Sequence, residues 1–200
     1  MSTWRMIARV AAPVAAVALA SPAAAQFSDA YKFIKAVKDK DGAAAQKILD
    51  QKGTTLVNVR DPESGDMGLH IATRRRDLGW IGFLLRNDAS PDVRDREGST
   101  PLILAATTGF DEAVRILVLV KAQVDLANRL GETALMKAVQ ARDAASVRLL
   151  LEAGASADRT DNTGSSPRSY AASDTRGGPV ARLLKDAPTR RSSAMQGPSL

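Results

Sequence analysis

A step of 33 residues runs through this chain and limits its fold more than any local motif does. Gly65, Gly98, Gly131 and Gly164 keep that step, and so do Leu84, Leu117, Leu150 and Leu183. Ala72, Ala105, Ala138 and Ala171 form a third column. Ala89, Ala122 and Ala155 form a fourth, each followed three residues later by Asp92, Asp125 or Asp158. Columns in one register mark a stack of similar units, each of which buries its apolar face only against its neighbours.

One period can be read residue by residue. Thr100 is a helix cap and Pro101 fits the first turn that follows it. Leu102, Ala105 and Ala106 make a narrow apolar face whose small residues let a neighbouring helix approach, and Gly109 ends the helix. Asp111 and Glu112 then place negative charge at the start of a second helix, for which Val114, Leu117 and Val118 supply the buried stripe. Lys121 to Asp125 is an extended return that leads into the next turn, Asn128-Arg129-Leu130-Gly131. The unit is a hairpin loop followed by two antiparallel helices.

Gly98-Ser99-Thr100-Pro101-Leu102, Ala105-Ala106, Gly109, Val114 and Leu117 together resemble the ankyrin repeat. Gly131-Glu132-Thr133-Ala134-Leu135, Ala138 and Leu149 to Ala155 do so again, and Leu69-His70-Ile71-Ala72 keeps the family's Leu-His-x-Ala. The resemblance covers roughly 28–187 and implies an all-α ankyrin-repeat solenoid of about five helix-pair units. The expected units are 28–60, 61–93, 94–126, 127–159 and 160–187, with the first and last acting as caps. The first lacks Thr-Pro-Leu-His and carries a polar lysine-rich side (Lys32, Lys35, Lys38, Lys40), and the loop after it holds about three extra residues. In the last, Arg168 stands in the leucine column, and Gly177-Gly178-Pro179 precedes a short apolar stripe of Val180, Leu183 and Leu184.

Charge is unevenly placed. The formal net charge is +6, but acids and bases balance between residues 26 and 158. Residues 159–200 hold Arg159, Arg168, Arg176, Arg182, Lys185, Arg190 and Arg191 against Asp161, Asp174 and Asp186. A basic tail is not a nucleic-acid surface across the domain, and no nucleic-acid partner is expected. At the other end, Arg5 and Arg9 precede an apolar run from Val10 to Ala20, too short to span a bilayer. Ser21-Pro22 breaks it, and Ala23-Ala24-Ala25 offers a cleavage site. Residues 1–25 therefore read as a secretory signal that leaves Gln26 first. Residues 26–187 read as the repeat domain, and 188–200 as a disordered tail. The mature chain is expected to lack a membrane span, to be monomeric, and to resemble exported, periplasmic bacterial ankyrin proteins, with release from the cell as the second choice.

Catalytic chemistry is not evident. There is no Cys, hence no thiolate nucleophile or thiolate metal site, and no phosphate-binding glycine loop is present. Ser165 and Ser166 lie on a repeat hairpin and read as capping residues. Asp92, Asp95 and Glu97 are placed by the 33-residue register, and Arg94 and Arg96 interrupt any calcium-loop spacing. His70, the one histidine, sits where the family's imidazole ties hairpin to helices. Trp80 shares an apolar face with Ile81 and Leu84. No catalytic residue, metal or cofactor is expected.

What remains is a surface. By resemblance, partners meet the hairpin tips and the concave side of the first helices. The register puts Ile71, Leu104, Lys137 and Tyr170 in one column there, with Arg74 and Arg75 a turn further on and Arg94, Arg96 and Arg129 on the tips. The expectation is a basic face with apolar spots at Ile71, Leu104 and Tyr170, used by a non-enzymatic scaffold to bind a protein of the envelope or periplasm. The alternative is a polyanion-binding or extracellular effector protein that uses the basic C-terminal region.

Overall fold

The computed structural model describes residues 22–52, 54–173 and 178–188. The expected tail beyond 188 lies outside them, as do residues 1–21 of the expected signal. Among the described residues there are ten α-helices and no strand. They form five antiparallel pairs: α1 (Pro22–Asp39) with α2 (Gly42–Lys52), α3 (Gly68–Arg74) with α4 (Leu78–Arg86), and α5 (Pro101–Thr107) with α6 (Asp111–Leu119). The last two are α7 (Ala134–Gln140) with α8 (Ala144–Glu152), and α9 (Pro167–Ser173) with α10 (Pro179–Asp186). The first helices α1, α3, α5, α7 and α9 pack in sequence, and the second helices α4, α6, α8 and α10 stack behind them.

The sequence signals act as local physics requires. Thr100 and Thr133 cap α5 and α7, each hydroxyl accepting from the backbone N–H three residues on, and this satisfies a donor that the helix leaves open. Asp77 and Asp143 do the same for α4 and α8. Ser166 and Ser169 cap α9 reciprocally. The column residues Leu84, Leu117, Leu150, Ala72, Ala105 and Ala138 are all fully buried in one continuous core.

Two features differ from the expectation. α1 starts at Pro22, upstream of residue 28 and across the Ala23–Ala25 site; a proline suits a first helical position because its missing N–H has no intrahelical role. The leucine column slips by one in the last unit, where Leu184 is buried and Leu183 only half-buried. α10 begins at Pro179, two residues late against the register of α4, α6 and α8, yet Val180 is buried in register with Ile81, Val114 and Val147, so the slip is confined to the leucine position. The three extra residues after the first unit fall in a loop that carries a short 3-10 helix, Thr54–Asn58.

Positive φ runs down the whole glycine column, and tip-to-tip packing adds a second constraint at Gly65, Gly98 and Gly131. The hairpins are closed by isolated bridges between Arg60 and Met67 and between Ala127 and Thr133. Gly131 has φ +79°, and a Cβ there would lie 2.8 Å from the backbone nitrogen of Asn162 in the next tip. Gly131→Ala should destabilise the chain by about 1–3 kcal/mol, because backbone must move. Urea denaturation checks this; a change under about 0.5 kcal/mol, the range of an inert surface substitution, would show that the tips do not pack.

Candidate interaction surface

The first helices and the tips bring most of the expected residues to one side, but not in the expected state. Ile71 and Leu104 are each only 9% exposed. They belong to the core rather than forming apolar spots, because neighbouring first helices close over them. Lys137 of the same column is half-buried and pairs with Glu132 at 2.7 Å. Burial alone would raise the Glu132 carboxyl, but the bonds from Lys137 and Asn128 outweigh it and hold the group below its ordinary range. Tyr170 is half-buried, and its hydroxyl donates to Asp161 at 2.5 Å. That bond raises the phenol, while donation from Thr163 and Tyr170 holds Asp161 well below the usual carboxylate range.

The arginines are largely committed to the fold. Arg75 is half-buried and turned away from the surface; its guanidinium donates to the carbonyls of Val37 and Lys38 at 2.7 and 2.9 Å. It caps the C-terminal end of α1, where positive charge is favoured. Arg74 bridges two hairpins, bonding to Asp66 at 3.1 Å and Asp95 at 2.9 Å. Arg94 donates to the carbonyls of Gly98 and Ala127. Arg96 reaches back to the carbonyl of Pro62 at 2.6 Å and lies across Gly65. Arg60, which the sequence reading did not single out, completes the set by donating to the carbonyls of Gly65 and Arg94. The face is thus less basic than expected: Asp66 and Asp95 offset Arg74, and Lys38 pairs with Asp61. Burial pushes Asp61 up, but the bonds from Lys38 and Ser64 prevail and bring it down to about 2.

Arg129 differs. Its side chain is exposed and has no ion pair or hydrogen-bond partner among the described residues, although its stem passes over Gly98. Beside it, Leu130 is 63% exposed. Sequence reasoning missed Leu130, although the signal was present: the same register position holds Glu97 and Thr163 in the neighbouring tips. Arg129 and Leu130 thus form a mixed cationic and apolar tip that the fold itself does not use.

Among the described residues, a groove of about 460 Å³ along α8 and α10 is open to solvent and lined by Arg148, Leu151, Leu183 and Ala187. A cavity of about 170 Å³ between α7, α9 and α10 is lined by Val139, Arg142, Tyr170, Ala171 and Val180, and pockets that hold small ligands run to roughly 300–1,000 Å³. Among the described residues, no group of three or more His, Asp or Glu is placed to hold a metal ion. No helix there is long and apolar enough to cross a membrane.

A family model for ankyrin repeats in three copies matches residues 33–128 and 111–190. Two similar curated proteins are the human 2-5A-dependent ribonuclease, 36% identical over 42% of this chain and 11% of that protein, and the oxysterol-binding protein homolog 1 of Saccharomyces cerevisiae, 33% identical over 38% of this chain and 7% of that protein. The matched segments are about a tenth or less of the relatives' length.

Proposed function

The chain belongs to the ankyrin-repeat family, and we propose that it is a non-enzymatic scaffold of the cell envelope which binds another protein through its hairpin tips and the adjoining concave side. Ankyrin repeats imply a protein partner, and the observation that carries the reading is the tip at Arg129 and Leu130. Its neighbours spend their cations on carbonyls and carboxylates within the chain, whereas this tip presents an unspent guanidinium beside an exposed leucine. Arginine is among the residues enriched at interface centres, and the exposed leucine beside it adds apolar area that a partner can bury. The names of the two relatives describe whole proteins many times longer than the matched segments, so neither activity is carried over.

The test is affinity capture from an envelope extract, followed by binding of variants to the recovered partner. The double variant Arg129→Glu, Leu130→Asp should weaken binding at least about tenfold, as expected for loss of an interface anchor with reversed charge, with an unchanged melting temperature. Arg96→Glu, in contrast, should also lower the melting temperature, since Arg96 is bonded to Pro62. Unchanged affinity in the double variant would remove the tip from the interface.

Export is the second part of the proposal, supported by Arg5, Arg9, the Val10–Ala20 run and Ala23-Ala24-Ala25. Intact-mass measurement of the envelope fraction should find a chain beginning at Gln26. Recovery of only the full-length chain from the cytosol would reject it.

A further inference from the structure

Each second helix carries one outward position five residues beyond a buried anchor. The anchors are Ala45, Ile81, Val114, Val147 and Val180, all buried. Five residues turn a helix by about 140°, so the side chains at that distance point away from the core. They are Asp50, Arg86, Leu119, Glu152 and Lys185, and all are exposed. Read along the chain, the row runs negative, positive, apolar, negative, positive. Leu119 at its centre is 75% exposed, more than any other large apolar residue described, and Val120 beside it is 41% exposed.

The fold does not use the charges next to Leu119. Arg86 stands on α4 and Glu152 on α8, and both helices pack against α6. The side chains of Arg86, Glu152 and Lys185 have no ion pair or hydrogen bond among the described residues. Arg86 lies along its own helix over Gly82, where nothing neutralises it. Asp50, at the outer end of the row, accepts only from Gln46 of its own helix.

We propose that a second copy of this chain docks on this face, so that the protein is a weak two-fold dimer and not the monomer expected from the sequence. The row reads the same from either end with the signs exchanged. That is the condition that a two-fold axis sets on a charged surface, because each residue meets the partner's residue at the mirrored place. An axis running along α6 over Leu119 reverses the order of the helices. Each Leu119 then covers the other, Arg86 meets the partner's Glu152, and Glu152 meets the partner's Arg86. Asp50 and Lys185 follow the same rule further out. Asp186 shares the groove between α8 and α10 with Glu152, so the incoming guanidinium finds two carboxylates. An axis across the helices would instead set Arg86 against the partner's Arg86, which like charge opposes. Arg115, one turn before Leu119, is the costly position because it faces its own copy. Glu112, exposed three residues before it, offsets that repulsion. Helices of nine residues are about 13 Å long, and three of them stacked about 9 Å apart give a central patch of roughly 13 by 27 Å. That is at the low end of specific interfaces and suits a weak dimer.

Sedimentation velocity of the full-length chain between about 1 and 300 μM, the range of a weak association, tests the proposal. The unaltered chain should move towards twice the monomer mass as concentration rises. Arg86→Glu and Glu152→Arg should each weaken that association at least about tenfold, since each sets like charges face to face, with melting temperatures unchanged. Leu119→Asp should do the same. The deciding sample is an equimolar mixture of the Arg86→Glu chain with the Glu152→Arg chain. Across the axis their four charges pair again, so the mixture should form a one-to-one dimer that neither chain forms alone. A monomer at every concentration would overturn the proposal. So would self-association that is indifferent to the single variants, or a mixture that stays monomeric.

Discussion

Leu135→Ala is expected to lower the free energy of unfolding by about 2–5 kcal/mol, the usual range for truncating a fully buried leucine. Leu135 is 0% exposed on α7, packed between the first helices on either side. The loss should not spread evenly. Towards the N-terminus the neighbouring units hold large buried side chains, among them Leu102, Ile103, Leu69, Trp80, Ile81 and Phe33. Towards the C-terminus the apolar residues that the fifth unit buries, among its described residues, are Pro167, Ala171, Val180 and Leu184. Its leucine-column position is Arg168, whose guanidinium bonds to Asp158 and to the carbonyls of Leu184 and Ala187. Those bonds hold α10 in place, but they bury little apolar area. In a linear array each unit depends on its neighbour, so α9 and α10 should gain exchange rates well before α1 to α4 do. Site-resolved hydrogen exchange after the substitution checks this; an equal gain at both ends would mean that the stack unfolds as one block.

The sequence reading captured what repeats at fixed spacing. The start of α5 was legible because Thr100-Pro101 is a local signal, and the buried columns were legible because each recurs with the unit. The commitments of the arginines were not. Arg75 bonds to carbonyls on α1, Arg96 to a carbonyl in the preceding tip and Arg94 to one in the following tip. Each partner is chosen by how one unit rotates on the next, which no spacing in the chain records. Burial of Ile71 and Leu104 failed for a related reason: a column position names a face, and how closely neighbouring helices approach decides whether water reaches it. Leu130 was visible as an apolar residue in a polar column, but a turn sequence alone does not say that its side chain stays outside. The one-residue slip at Leu184 was not legible either, because Val180 keeps the register of Ile81, Val114 and Val147 and the spacing gives no sign that the next buried position moves on by one.

Acidification should destabilise the chain through His70, and His70→Ala should remove that response while costing about 2–4 kcal/mol at neutral pH. The imidazole is 0% exposed. Its Nδ1 accepts the Met67 N–H at 3.1 Å, so the proton sits on Nε2, which donates to the Ser99 carbonyl of the next unit at 3.0 Å. One side chain thus caps α3 and ties the second unit to the third. A second proton would have to go on Nδ1, which already faces a donor. Burial pushes the group below its ordinary value of 6.5, against a smaller upward pull from the bond to Ser99. The unfolded chain therefore binds more protons than the folded one below about pH 6.5. The contribution of His70 is complete above that pH and is lost progressively as the pH falls through the lower folded value. Asp61 adds a separate acid loss, confined to lower pH because its carboxyl is brought down to about 2 in the fold. Denaturation series at pH 8 and pH 5.5 separate the two. The unaltered chain should lose stability over that interval and His70→Ala should lose markedly less. A parallel decline in both would assign the acid sensitivity to groups other than this histidine.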